Sequence, residues 1–172
     1  MSEAVELKDV RLACRQFAML YFHFCKSLRE AMGEEEAFTL VQKTLFNLSL
    51  DRTDKARKRA AEQGLETTLE NFSKVNDLPY VGWFLWDPAM GGVKCPYAEA
   101  WLEYFDKHPW FKRFASHYCD VIDTTNMENF TRTLSHKITK NLLWEDSECA
   151  QEYFESDDVK KGILTYGKRE EE

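Results

Sequence analysis

Proline and glycine are scarce in this chain. With 4 Pro and 7 Gly in 172 residues, few tight turns are available, which argues against a loop-rich fold and favours long helices. Basic charge is also short: 23 Lys and Arg stand against 30 Asp and Glu, a formal charge of −7. Lys and Arg cluster only in "KARKR" (55–59), which reads as a solvated helix face. With no basic stripe, nucleic acid is not expected as a partner. No apolar run approaches the roughly 20 residues that span a membrane. No leader with a charged start and an apolar core precedes Glu3. A cytoplasmic protein without a membrane partner is therefore expected. Five cysteines, Cys14, Cys25, Cys95, Cys119 and Cys149, are odd in number and widely spaced, with no Cys-x-x-Cys pair. That spacing supports neither a disulfide framework nor a zinc ribbon, so free thiols are expected.

What the chain does have is apolar and aromatic mass. Hydrophobic residues make up 44% and aromatics 14%, enough to build a core in one domain of this length. The expected organisation is a helical part over 1–78, a mixed part over 79–156 and a frayed acidic tail over 157–172.

Residues 5–32 read as one long helix, with Val10, Ala13, Phe17, Leu20, Phe24 and Leu28 at three- and four-residue steps, and the aromatic content of "FAMLYFHF" suggests that more than one face is buried. Gly33 stops it. A second helix over 34–63 carries "EEE" at its positive end, with a break expected near "SLDRTD", where Ser49 and Asp51 offer new caps. Gly64 ends it. A third helix, about 67–76, opens on a Thr67/Glu70 capping box. "YVGWFLWD" (80–87) suits a short strand, and the turn after it leads into a second one ending at Cys95. Pro96 and Pro109 each open a helix, the latter through "PWFKRFASHYCDVI". From Phe130 the period changes to two, placing Phe130, Arg132, Leu134, His136 and Ile138 on one side of a strand. "CAQEYFES" (149–156) is its expected hairpin partner. The fold class is α+β: long N-terminal helices with a small antiparallel sheet and one or two inserted helices.

"ASHYCDVID" (115–123) concentrates chemistry. On a helix, Cys119 and Asp123 lie four apart and share a face, whereas His117 does not join them. A carboxylate does not activate a thiol, since negative charge disfavours the thiolate. Activation needs a histidine or a cation, and His136 and Arg132 on the strand supply the candidates. The bland reading stays beside this one: buried cysteines are common small hydrophobes, and a strand histidine is more often a satisfied core residue.

From Gly92 to Phe154 the chain resembles the L-2-amino-thiazoline-4-carboxylic acid hydrolase family. The resemblance rests on "CPYAEAW", a helix ending in "YCDVID", the strand "FTRTLSH" and the turn and strand "EDSECAQEYF". One position departs: where the pattern leads us to expect a glycine before Asp-x-x-Cys, this chain has Glu145. The resemblance implies hydrolytic opening of a small cyclic amidine, such as 2-amino-thiazoline-4-carboxylate, to a carbamoyl-cysteine. On that reading Cys119 attacks, or Asp123 activates a water, and His136 shuttles the proton. Arg132 pairs with the substrate carboxylate, and Cys95 and Trp83 help to bind substrate. No cofactor is required. The alternative is zinc on Cys95, Cys119 and Cys149. A second alternative is a non-catalytic sensor whose pocket is lined by Trp83, Trp86, Trp101 and Trp110. The apolar girth of the first helix motivates an expected homodimer.

Overall fold

The computed structural model describes residues 7–77 and 95–169. The strands expected between Tyr80 and Cys95, and with them Trp83 and Trp86, lie outside the described residues. The fold is α+β. In chain order come α1 (Leu7–Met32), α2 (Glu34–Glu62), α3 (Leu69–Val75), α4 (Pro96–Phe105) and α5 (Phe111–Thr131). These lead to β1 (Leu134–Lys140), a 3-10 turn (Leu142–Trp144), β2 (Ala150–Glu155), α6 (Asp157–Lys160), β3 (Ile163–Leu164) and β4 (Gly167–Lys168). The chain divides into two compact units, each made from two separate segments: Met1–Phe38 with Leu78–Ala115, and Thr39–Asp77 with Ser116–Glu172. The divide cuts the chain within α2, between Asp77 and Leu78, and within α5.

In the first unit α1 packs on α4. Trp101 is fully buried and its indole N–H donates to the Ala18 carbonyl at 2.9 Å. Phe22 stacks on Tyr104 at 3.7 Å between ring centroids, and Arg11 and Arg15 bond Glu99 and Glu103 at 2.6 and 2.7 Å. The inward ridge of α1 is Cys14, Ala18, Phe22 and Cys25. Where more than one buried face is expected, the structure buries this one: Phe17, Leu20 and Phe24 are exposed. The reason is that α1 is apolar over more than half its circumference, so its periodicity fits two ridges and Trp101 and Tyr104 select one. Cys25 is a core residue whose thiol burial pushes up to about 12, disfavouring the thiolate. Trp101 likewise belongs to this core.

In the second unit α2 does not break near "SLDRTD". Ser49 is buried and donates to Asn126 Oδ1 at 2.7 Å and to the Ile122 carbonyl at 3.1 Å, a partner better than a cap exposed to water. The N-cap of α3 is Thr68, one residue after the expected Thr67, and its hydroxyl accepts from the Asn71 N–H. Two members of "KARKR" are tied down: Arg57 and Arg59 donate to the carbonyls of Phe130 and Val75 at 2.9 and 2.7 Å. Ala56, Ala60, Phe72, Val75, Met127 and Phe130 form the apolar core here.

α5 begins at Phe111, two residues after Pro109, and continues through Thr131, well past the expected end near 122. Phe130 is therefore helical and fully buried. Arg132 turns the chain in the left-handed region at φ 60°, and the strand starts only at Leu134. The antiparallel hairpin runs Leu134 opposite Glu155, His136 opposite Tyr153 and Ile138 opposite Gln151, with an irregularity between Ile138 and Lys140. Glu145 stands at φ 74°, a backbone state that favours glycine, at the position where the family pattern led us to expect one. The C-terminal tail is not frayed up to residue 169: Ser156 caps α6 and β3 pairs with β4.

Candidate functional site

β1 runs back along α5, so residues increasing in number on the strand meet residues decreasing in number on the helix. Ser135 donates to Glu128 Oε1 at 2.5 Å, and one strand residue further His136 Nδ1 lies 3.2 Å from Thr124 Oγ1. Gln151 on β2 donates its amide to Asp123 Oδ2 at 3.3 Å and accepts from the Tyr153 hydroxyl at 2.6 Å. Tyr153 in turn lies 5.3 Å from the His136 ring. From the turn between β3 and β4, Tyr166 donates its hydroxyl to Asp120, and the edge of His117 meets the Tyr166 ring at 5.5 Å. The hairpin and the C-terminal turn thus place polar groups around Asp120, Asp123 and Thr124 on one stretch of α5.

Electrostatics separate these groups. Asp123 is half-buried, and its carboxyl is pushed up to about 7. Loss of hydration is the main cause; the Asp120 carboxylate adds to it and Arg52 opposes it. Burial holds the His136 imidazole below its ordinary value, against the hydrogen bonding of Gln151 and the charges of Asp120 and Glu128. His136 is therefore neutral at pH 7. The Tyr166 hydroxyl is pushed above its ordinary range by burial and by its bond to Asp120, so it stays a donor. A carboxyl pushed up to about 7, linked through Gln151 to the Tyr153 hydroxyl and by Tyr153 to the His136 ring, is suited to acid–base chemistry.

Of the expected site residues, the structure brings Asp123 and His136 into this one network. Cys119 lies one helical turn before Asp123, partly exposed, as the spacing on α5 requires. Arg132 does not join them. It sits nine residues beyond Asp123, roughly 13 Å along the helix axis, at the C-terminal end of α5 with Arg57 and Arg169. The reason is that Arg132 belongs to the helix end and not to the strand face that carries His136. Cys95 belongs to the first unit, where it precedes Pro96 as the N-cap of α4 without a side-chain cap bond. Cys149 is exposed before β2, its sulfur 4.0 Å from Asn141 Oδ1. Among the described residues no three His, Cys, Asp or Glu side chains gather as a metal-ligand group.

Asp120 shares the helical spacing of Cys119 and Asp123 in the sequence, but several members of the network were not anticipated: Thr124, Gln151, Tyr153, Tyr166 and Arg52. Gln151 and Tyr153 carried a signal, since they alternate on the expected hairpin partner of His136. Arg52 carried none, because its place beside Asp123 depends on α2 continuing unbroken. Asp77 grips its guanidinium in a two-point bond at 2.7 and 2.9 Å.

No protein-family model, curated protein or solved structure matches this chain. No helix among the described residues is long and apolar enough to cross a membrane.

Proposed function

We propose that the chain is a small-molecule hydrolase that opens a cyclic amidine, such as 2-amino-thiazoline-4-carboxylate, with Asp123 as the proton-transfer group. The observation that carries this reading is the Asp123 carboxyl at about 7, bonded by Gln151 next to the neutral His136. Water adds to the ring carbon flanked by sulfur and two nitrogens while Asp123 takes one of its protons. A ring C–N bond then breaks as the new hydroxyl becomes a carbonyl, and the departing nitrogen takes both the proton held by Asp123 and the one the hydroxyl gives up. The balance is one water added and an S-carbamoyl-cysteine formed. Direct attack by Cys119 is the less supported route, because Asp120 and Asp123 on the same helix work against a thiolate. Arg52, the cation acting on Asp123, replaces Arg132 as the candidate partner for a substrate carboxylate. A cytoplasmic location and the absence of a required cofactor belong to the same reading.

The test is incubation of the purified full chain with L-2-amino-thiazoline-4-carboxylate and detection of products by mass spectrometry. A product heavier by one water is expected. It should fall at least roughly 100-fold in Asp123→Asn, within the range of acid–base catalysis, and persist in Cys119→Ala. Loss in Cys119→Ala with the fold intact would move the attack to the thiol. No turnover by folded protein would sink the proposal, and a fluorescence change without turnover would favour the sensor instead. Elemental analysis of the same sample tests the zinc alternative.

A further inference from the structure

α1 gives its own unit one apolar ridge and leaves a second to solvent. Ala13, Phe17, Leu20, Phe24 and Leu28 follow at steps of four, three, four and four, the spacing of a coiled-coil seam. None of them is buried: Phe17 is 42%, Leu20 62% and Phe24 61% exposed. The intramolecular ridge of Cys14, Ala18, Phe22 and Cys25 lies on a neighbouring face, so covering the seam does not compete with the fold of the unit.

We propose that this seam takes α1 of a second copy, antiparallel about a two-fold axis close to Leu20. The sequence of side-chain sizes supports that partner in particular. In the antiparallel pair Ala13 faces Leu28, Phe17 faces Phe24 and Leu20 meets its own symmetry mate, so small stands against large and the two ends are satisfied alike. The residues flanking the middle of the seam, Gln16, His23 and Ser27, carry no fixed charge that would repel itself across the axis. Towards the end, Glu30 is already paired with Lys26 at 3.7 Å. Phe17, Leu20 and Phe24 expose roughly 300 Å² of side chain between them, taking about 200 Å² for each whole side chain. With Ala13, Leu28 and the flanks this reaches on the order of 1,000 Å² over two copies, the lower bound for a specific interface. The dimer is therefore a reversible one, populated at micromolar concentrations and above, and each copy is folded without it.

Sedimentation equilibrium of the full chain over about 1–100 µM tests this. The wild-type chain should move from one to two copies over that range. Phe17→Lys and Phe24→Glu, each measured alone, should weaken self-association at least tenfold, with helicity retained; Phe24→Glu should melt with the parent chain, and Phe17→Lys somewhat lower because the Phe17 ring also lies 5.9 Å from that of Tyr97. An equimolar mixture of the two variants should regain the double mass, since the antiparallel register places the lysine of one copy against the glutamate of the other. A wild-type chain that stays a monomer to 100 µM overturns the proposal, as does a dimer that both variants leave intact. A mixture that fails to regain the double mass overturns the antiparallel register. Leu20→Lys provides a further monomer control if either aromatic substitution disturbs the helix.

Discussion

Between the ordinary carboxylate range and about pH 7, the folded chain holds a proton on Asp123 that the unfolded chain releases. The sign follows: the folded state binds more protons, so this group's contribution falls as pH rises through that window and is lowest above it. His136 acts in the opposite sense. Its depressed value means that stability is lost as pH falls below its ordinary range of about 6.5. The two can be separated by substitution. Asp123→Asn should be more stable than the parent at pH 8, on the order of 2 kcal/mol after discounting the wet part of the carboxyl, with only about a quarter of that advantage left at pH 4.5. Chemical denaturation at both pH values checks this; an advantage that does not depend on pH would mean that Asp123 titrates as an ordinary surface carboxylate. The same proton sets the pH profile of the proposed activity, which should rise through an apparent value near 7. Not all of this chemistry was legible from residue types. Cys119 and Asp123 were linked by spacing alone, and His136 by the strand alternation. "TTNMEN" (124–129) is polar in composition, yet apart from the core residue Met127 it is a buried run of polar groups. Its partners come from far along the chain: Asn126 meets Ser49, Asn129 donates to Thr53 at 2.7 Å, and Glu128 accepts from Thr165. Local periodicity carries no trace of such pairings.

At the scale of elements, boundaries were readable where glycine marks them and missed where it does not. Gly33 and Gly64 end α1 and the turn after α2 at φ 87° and 64°, as left-handed positions favour. Arg132 and Glu145 make the same kind of turn with ordinary side chains, so the switch from α5 to β1 was placed four residues early. The C-terminal hairpin was missed for a different reason. It is short, and its anchor is the meeting of Gly167 with the Phe46 ring, far apart in sequence. A methyl group on Gly167 would lie 2.5 Å from the ring's Cζ and 2.6 Å from Cε1. Gly167→Ala should therefore displace the ring or lift β3–β4, at a cost of about 1–3 kcal/mol, as overpacking does. Tyr166 and Thr165 are carried by the same turn, so the bonds to Asp120 and Glu128 should loosen with it. Hydrogen exchange at the Thr165 amide reads the change directly. Exchange as slow as in the parent chain would show that the ring moves aside without cost.

For the whole molecule, the decisive feature is that neither compact unit is a continuous stretch of chain. The α+β class was legible from composition and from the change of period after residue 130. The division was not, because only one of its three cuts, the one after Asp77, coincides with the change in composition near residue 78. α1 buries Ala18, Phe22 and Cys25 against a unit completed by residues 78–115. The inner face of α2, with Ser49, Thr53, Ala56 and Ala60, belongs with residues 116–172. A cut at the apparent boundary therefore divides both cores. Fragments 1–78 and 79–172, expressed separately, should each lack a cooperative thermal transition, since each retains helices whose apolar faces have lost their cover. Mixing them should restore helicity and a single transition if both cores re-form from their two segments. Circular dichroism melts of each fragment and of the mixture check this. Cooperative melting of 1–78 alone would show that the N-terminal helices form a core of their own, contrary to the interleaved division.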